Sequence, residues 1–268
     1  MAYMRGEKNM VELYQMMFKR KSFRRFKVEA AISELELERI VNFIDHTAER
    51  LSEDIPISYK IVPITQTSCK RGEYGILIYS NTDSRSLLNI GFMFSQLDFF
   101  LASIDIGACW YGMGKPNETV EHGNLPYVIM IAIGKATTAE FRKDHTKAKR
   151  KSNDELSLGE PFSSLLDYVK YSPSACNSQP WILERNQEKL SILLNSKEKM
   201  IIPKEKIIFY NTIDLGIMIF SCELWLRKNQ IGYKRSINES PGSFISGDTV
   251  AEFYIKENAL TGACDESF

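Results

Sequence analysis

The sequence predicts an α+β protein made of two similar halves, with long buried central helices and mixed or antiparallel sheets. Two long apolar stretches, residues 87–103 and 213–228, have the composition of helices buried on most sides. Runs rich in β-branched and aromatic residues lie on either side of them, as strands require. The two helices also match each other in sequence, which indicates an internal duplication.

The duplication is marked by Gly91 and Gly216, which lie 125 residues apart. The same offset aligns Asp98 with Glu223 and places the predicted strand at 128–130 on residues 253–255. Two glycines in one register are harder to obtain by chance than a match between apolar residues. We interpret residues 1–150 and 151–268 as two α+β halves, fused as a covalent version of a symmetric dimer.

Composition excludes several classes of partner. Among 268 residues, Lys plus Arg and Asp plus Glu both number 34, so no global field attracts nucleic acid or a membrane. The five cysteines form no Cys-x-x-Cys pair, which indicates neither a disulfide framework nor a metal site. The N-terminus has no leader pattern, and polar residues interrupt the most apolar stretch, residues 87–106. We expect a soluble cytoplasmic protein.

The elements of the first half follow from periodicity and capping. Apolar spacing predicts a helix over residues 10–19, and a capping box at Ser33 opens a helix that runs to about residue 50. Residues 58–64 and 74–79 have strand composition, with Pro63 favouring a sheet edge for the first. The central helix is expected to stop at Gly107. The apolar run 127–133 is typical of a buried strand.

The second half begins after a cation-rich segment, residues 142–154, which lacks apolar periodicity and is interpreted as the interdomain connection. Apolar spacing predicts a helix over residues 161–171. Residues 181–185 and 190–195 form a predicted hairpin. The second central helix, residues 213–228, follows.

Five cations occupy the seven residues from Lys19 to Arg25, and their repulsion must be offset by solvent or by an anion. One interpretation is a solvated helix end, where cations suit the helix dipole. The other is a phosphate site, to which Ser22 adds a hydroxyl. The residues alone leave both open.

The segment from Tyr171 to Trp181 joins a predicted helix to a predicted strand through small and amide side chains. Small residues let a ligand approach the backbone, while Asn177 and Gln179 can each donate and accept hydrogen bonds, as the edge of a flavin requires. Gln179 precedes a proline, which is expected to hold it extended. The alternative is a polar turn between helix and strand.

Together these two segments resemble motifs of the FMN-dependent nitroreductase family. The family's first motif, approximately Arg-Arg-Ser-x-Arg-x-Phe, compares with Arg-Lys-Ser-Phe-Arg-Arg-Phe from Arg20 to Phe26. Its second motif, Pro-Ser-x-x-Asn-Ser-Gln-Pro-Trp, is matched at every specified position from Pro173 to Trp181. The resemblance implies a nitroreductase-like fold and FMN as cofactor, with NADH or NADPH as the reductant.

Each half holds only one of the two motifs. We call the second motif, from Pro173 to Trp181, the amide loop. The first half has residues 51–56 at the position where an amide loop would be expected. The second half has only residues 150–154 at the position where a basic motif would be expected. Family dimers build the flavin site from both subunits, so the resemblance implies one intact site shared by the halves and one vestigial site. The resemblance also predicts that the protein is a monomer, because the two halves of the family dimer are fused in one chain.

The resemblance assigns roles to particular residues. Arg20 and Lys21 would hold the FMN phosphate, and Lys149 and Arg150 resemble basic residues that reach it. The remaining flavin contacts implied by the resemblance are Ser22, Arg24, Trp110, Tyr111, Gly112, Pro173, Ser174, Ala175, Asn177 and Gln179. Trp181 is expected to be a packing anchor.

The implied activity is hydride transfer from a nicotinamide through flavin to a small electron-poor acceptor such as a nitroaromatic or quinone. The flavin carries the chemistry, so no catalytic side chain is required. The sequence contains no G-x-G-x-x-G fingerprint, so a separate nicotinamide-binding domain is not expected. Two alternatives stay open: a flavin-binding protein for storage or sensing without turnover, and a relic that has lost flavin.

Overall fold

The first half of the chain forms a sheet of antiparallel strands with helices packed against it. The computed structural model describes residues 12–26, 30–118, 122–159, 162–196, 203–238 and 242–255. After a 3-10 turn at Leu13–Gln15, the helices are α1 (Met16–Lys19), α2 (Glu34–His46) and α3 (Ser84–Ser103). The strands are β1 (Ile57–Pro63), β2 (Tyr74–Ser80), β3 (Ile106–Tyr111) and β4 (Tyr127–Lys135).

The second half supplies a second sheet. Its helices are α4 (Asn153–Leu156), α5 (Ser163–Val169) and α6 (Lys204–Lys228). Its strands are β5 (Ser157–Leu158), β6 (Trp181–Asn186), β7 (Lys189–Leu194), β8 (Tyr233–Ile237) and β9 (Thr249–Ile255). The predicted hairpin is confirmed as β6 and β7, which turn through Gln187 at a left-handed φ of 51°.

The two sheets repeat one strand order. The first runs β1-β2-β4-β3, and the second runs β5-β6-β7-β9-β8, so that removing β5 leaves the same order. The pairs are antiparallel except for β5 with β6. Helix α3 connects β2 to β3, and helix α6 connects the corresponding strands β7 and β8. The predicted α+β class is confirmed. Pro63 ends the edge strand β1, as expected from its missing N–H.

The central helices α3 and α6 pack directly against each other at the two glycines of the repeat. A Cβ placed on Gly91 would overlap the carbonyl oxygen of Ile213 and lie 3.0 Å from the Cα of Gly216. A Cβ on Gly216 would overlap the carbonyl oxygen of Leu88. The backbones therefore approach more closely than any side chain allows. One hydrophobic core spans both halves around this crossing.

Several predicted boundaries need correction. The capping box at Ser33 is present, but α2 ends at His46 rather than near residue 50. Helix α3 ends at Ser103 and not at Gly107, because Asp105 takes the left-handed conformation, with φ 57°, at the chain reversal. Gly107 lies inside β3, where a Cβ would come within 2.7 Å of the Phe23 ring. The part of the predicted first helix before residue 12 lies outside the described residues, as does residue 161.

The segment predicted as the interdomain connection is bonded to both halves. The Arg142 N–H donates to the carbonyl of Lys19, and the Arg150 guanidinium donates to Asn177 Oδ1. The boundary between residues 150 and 151 stays a prediction.

Helix α6 is long and apolar enough to cross a bilayer, judged by length and composition alone. Among the described residues it is the one helix that meets both conditions. Within its most apolar window, 89% of the residues are buried inside the protein. This burial is that of a core helix.

Candidate functional site

The basic segment after α1 is fixed against β3. The Phe23 N–H donates to the carbonyl of Ala108 at 3.0 Å, and Ser22 forms a parallel bridge with Ala108. Arg20 is 2% exposed, and its Nε lies 3.0 Å from Asp98 Oδ2 as an ion pair rather than a well-aligned hydrogen bond. The segment is thus not a freely solvated helix end.

The other residues of this motif are more accessible. Lys21 is half-buried and its Nζ lies 4.8 Å from the centre of the Phe23 ring. Ser22 is exposed, with its Oγ 3.5 Å from Arg20 Nη2. Arg24 is exposed and close to Cys109, where burial raises the thiol pKa and the Arg24 charge lowers it. Among the polar residues of the motif, only Arg20 is fully enclosed by protein.

Three arginines beside this segment lie near enough for their charges to act on one another, and we call Arg20, Arg142 and Arg150 the arginine cluster. Burial and the neighbouring charge of Arg20 lower the pKa of Arg142. Burial, then the charges of Arg142 and Arg20, lower the pKa of Arg150 to about 10. Like charges held together out of water raise the free energy of the site, so an anion placed among them would be strongly favoured.

Three donors of the arginine cluster are buried without a hydrogen-bond partner in the described part of the chain: Arg142 Nη1, Arg150 Nε and Arg20 Nε, of which the last is in an ion pair with Asp98. A buried charged donor left unpaired is costly, and a phosphate oxygen is an acceptor that would satisfy it. These residues therefore fit a phosphate group. Arg142 was not predicted as a site residue, because its place in the connector does not reveal that it lies near Arg20.

The second-half loop is built with backbone conformations that are rare for its residue types. Cys176, Asn177 and Gln179 have φ values of 52°, 56° and 47°, in the left-handed region. The expectation that Pro180 holds Gln179 extended is therefore wrong, because tertiary hydrogen bonds override the local preference. The Gln179 N–H donates to Ser174 Oγ at 2.9 Å, and its Oε1 accepts the Lys151 N–H at 3.1 Å.

The connector holds this loop through its amides. Arg150 Nη1 donates to Asn177 Oδ1 at 2.7 Å, and Asn177 Nδ2 donates to the Lys149 carbonyl at 3.1 Å. Asn177 is exposed, whereas Gln179 is 2% exposed. Arg150 therefore relates the two predicted components, because the charge of Arg20 acts on it and it donates a hydrogen bond to Asn177. The Lys149 side chain is exposed at the same place.

Helix α6 anchors the other end of the loop. Both carboxylate oxygens of Asp214 lie 3.0 Å from the Ala175 nitrogen and accept its N–H. Ser221 Oγ accepts from Ser172 Oγ at 2.8 Å. Pro173 is buried within this anchored stretch, and Trp181 is fully buried, which confirms its role as a packing anchor. The loop is held rigidly on the helix that crosses α3.

Of the predicted flavin contacts after α3, Trp110 and Tyr111 lie in β3, and Gly112 directly follows it. Trp110 Nε1 donates to Asp98 Oδ2 at 3.2 Å, which places it beside Arg20. The Gly112 carbonyl accepts from Tyr210 Oη at 2.6 Å. Since Tyr210 and Asp214 are one turn apart on α6, Gly112 and Ala175 reach the same face of that helix.

Asp214 gives a test of how the loop is held. Burial raises its pKa well above the ordinary value, so the folded protein binds a proton more tightly than the unfolded chain. Its contribution to stability is present below the unfolded pKa of about 3.9 and is lost as pH rises through the folded pKa. We expect Asp214→Asn, which keeps an acceptor for the Ala175 N–H, to lose less stability with rising pH than the natural protein.

Urea unfolding of both proteins between about pH 5 and pH 8 measures this difference. The pKa of Glu223 is also raised by burial, and its effect cancels in the comparison. Parallel pH profiles for the two proteins would contradict the role given to Asp214.

The sequence profile of the family described as "Putative TM nitroreductase" matches residues 12–226. This chain belongs to that family. The match covers the basic segment, the amide loop and both central helices, so the candidate site lies within the region that defines a TM nitroreductase.

A solved structure with a TM-score above 0.5 has the same fold. A protein from Thermotoga maritima MSB8 described as a "putative nitroreductase" superimposes with a TM-score of 0.61 at 16% identity, over 91% of this chain and 93% of the other. A nitroreductase family protein from Clostridium difficile 630 has a TM-score of 0.46 at 12% identity, over 55% of this chain and 98% of the other. Among curated proteins nothing matches. The nitroreductase-like fold predicted from the motifs is confirmed.

Proposed function

We propose that this TM nitroreductase family member is an FMN-dependent NAD(P)H oxidoreductase with one flavin site shared by its two halves. The observation that carries the proposal is the arginine cluster, whose unpaired buried donors adjoin the amide loop. Arg20 comes from the first half and Asn177 from the second. One chain would then supply both sides of a site that family dimers build from two subunits.

The residues of the chain have separate parts in this site. The arginine cluster would hold the FMN phosphate, because guanidinium groups match phosphate oxygens in charge and geometry. Asn177 and the Trp110 to Gly112 segment would position the ring. When bound, FMN supplies hydride transfer from a nicotinamide to an electron-poor acceptor such as a nitroaromatic or quinone. Asp214 and Tyr210 keep the surrounding loops in place.

The activity is tested on the purified full-length protein. We expect a yellow protein that binds one FMN per chain and whose flavin absorbance bleaches when NADH or NADPH is added without oxygen. Adding a quinone should restore the absorbance. A flavin that binds but does not bleach would instead identify a storage or sensing protein, and a ratio near two would reject a single shared site.

The phosphate role is tested at Arg142, because Arg20 pairs with Asp98 whereas Arg142 has no carboxylate partner among the described residues. We expect Arg142→Ala to weaken FMN binding by about 1.5–3 kcal/mol, the range for a hydrogen bond to a charged group. Riboflavin lacks the phosphate and should bind almost equally to both proteins. Fluorescence titration with each flavin measures the two affinities.

Lys147→Ala is the matched control, since Lys147 lies in the same connector but is exposed and pairs with Asp144 at 3.7 Å. It should leave FMN binding unchanged. Equal losses of FMN and riboflavin affinity in Arg142→Ala would show that Arg142 supports the loop rather than the phosphate.

A further inference from the structure

The turn that follows β3 is held in place by side chains from both halves of the chain. Tyr210 Oη donates to the Gly112 carbonyl at 2.6 Å, and Tyr127 Oη donates to the Gly114 carbonyl at 2.7 Å. The Gly114 N–H also donates to the carbonyl of Tyr111 at 3.0 Å. The backbone of this turn is therefore fixed at both ends.

The two glycines of the turn pack tightly against buried neighbours. A Cβ on Gly112 would come within 2.7 Å of the Tyr210 ring, and a Cβ on Gly114 would overlap the sulfur of Met130. A side chain at either position would have to displace one of these buried residues. Met113, between the glycines, therefore carries the side chain that the turn presents to solvent.

Met113 is 81% exposed, the largest value among the large hydrophobic side chains that the structure describes. Single exposed apolar residues are common and need no explanation by themselves. Met113 differs because its backbone is fixed, so that its side chain projects from a constant place. The methionine thioether is flexible and polarisable, and it makes favourable contacts with aromatic rings. Met113 is thus suited to contact a flat aromatic molecule.

The end of β3 and the turn after it are linked to both parts of the proposed flavin site. On the first-half side, Trp110 donates to the carboxylate of Asp98, which pairs with Arg20. On the second-half side, Tyr210 lies about one helical turn before Asp214, which holds the start of the amide loop. The exposed thioether therefore projects from the segment that joins these two parts.

We propose that Met113 is a specificity-determining residue, whose thioether packs against the flat face of an aromatic electron acceptor. This role rests on the proposed function, because the acceptor is reduced only at a bound flavin. A sulfur–aromatic contact strengthens binding by about two- to tenfold. An inorganic acceptor such as ferricyanide has no flat apolar face and gains nothing from it. The site therefore favours aromatic quinones and nitroaromatics over inorganic ions.

The first test compares two acceptors in Met113→Ala. Menadione, an aromatic quinone, takes two electrons and two protons, whereas two ferricyanide ions take one electron each. The ratio of kcat/KM for menadione to kcat/KM for ferricyanide should fall about two- to tenfold. Because the replaced side chain is exposed, the core stays intact.

Leu35→Ala is the matched control, because Leu35 is 67% exposed and lies on α2, which provides none of the proposed site residues. It should leave the ratio unchanged. A ratio that does not fall in Met113→Ala, or that falls as far in Leu35→Ala, would overturn the proposal.

The second test needs no turnover. Full-length protein labelled with carbon-13 at its methionine methyl groups is loaded with FMN and titrated with naphthol, a flat aromatic molecule that takes no electrons from flavin. The methyl signal that disappears in Met113→Ala should shift with naphthol but not with decalol, its saturated analogue. No shift, or equal shifts with both molecules, would overturn the role of Met113.

The two proposals fail in different ways. If the protein binds no flavin, or its flavin does not bleach with NADH or NADPH, the proposed function fails and the role of Met113 fails with it. A flavin that bleaches, together with a Met113 methyl signal that naphthol does not shift, would overturn the role of Met113 alone.

Discussion

Replacing Arg20 by alanine is expected to lower the free energy of unfolding by about 3–5 kcal/mol, the range for breaking a buried ion pair from one side. The side chains of Arg20 and Asp98 are 3% and 2% exposed. The substitution would leave the Asp98 carboxylate buried, with the neutral indole N–H of Trp110 as its recorded partner. Urea unfolding without flavin measures the loss.

Two variants separate this effect from a general loss of charge. In Arg20→Ala/Asp98→Asn the unpaired buried charge is gone and the amide oxygen can still accept from Trp110, so stability should recover relative to Arg20→Ala. Lys19→Ala removes the neighbouring cation, whose pair with Asp105 is partly exposed, and should cost less than about 1 kcal/mol. A loss in Arg20→Ala no larger than in Lys19→Ala would refute the buried pair.

The second large effect is expected at the helix crossing. Gly91→Ala and Gly216→Ala should each destabilise the protein by about 3 kcal/mol or more, at the upper end of overpacking effects. The added methyl group meets backbone carbonyl oxygens of the facing helix, at Ile213 and Leu88 respectively. The helix backbone cannot rotate away from the added methyl group as a side chain can. Helices α3 and α6 must therefore move apart, which loosens the packing of the core.

Thermal or urea unfolding of the two variants should give similar losses, because the repeat places both glycines in the same environment. Gly242→Ala is the matched control, since a Cβ there meets nothing within 4 Å. Its stability should stay close to that of the natural protein. Losses at Gly91 and Gly216 as small as at Gly242 would mean that the helices do not cross this closely.

Local patterns predicted the fold best where several signals agreed. Apolar composition located α3 and α6, and the strand composition of residues 74–79 and 127–133 located β2 and β4. Strand β3 was missed because Gly107 has the character of a helix stop, while the actual reversal uses Asp105. A short strand with a glycine inside is defined by the Phe23 ring that packs on it, which is a contact distant in sequence.

The sequence by itself determined the two motifs, the repeat of the central helices and hence the family, because these are properties of residue order. The tertiary structure decided that Arg142 lies near Arg20 and Arg150, and that the backbone of Gln179 takes the left-handed conformation. Each of these depends on side chains far apart in the chain that the packing of α3 on α6 brings together. Local periodicity carries no information about such long-range contacts, whereas burial and charge in the folded protein reveal them.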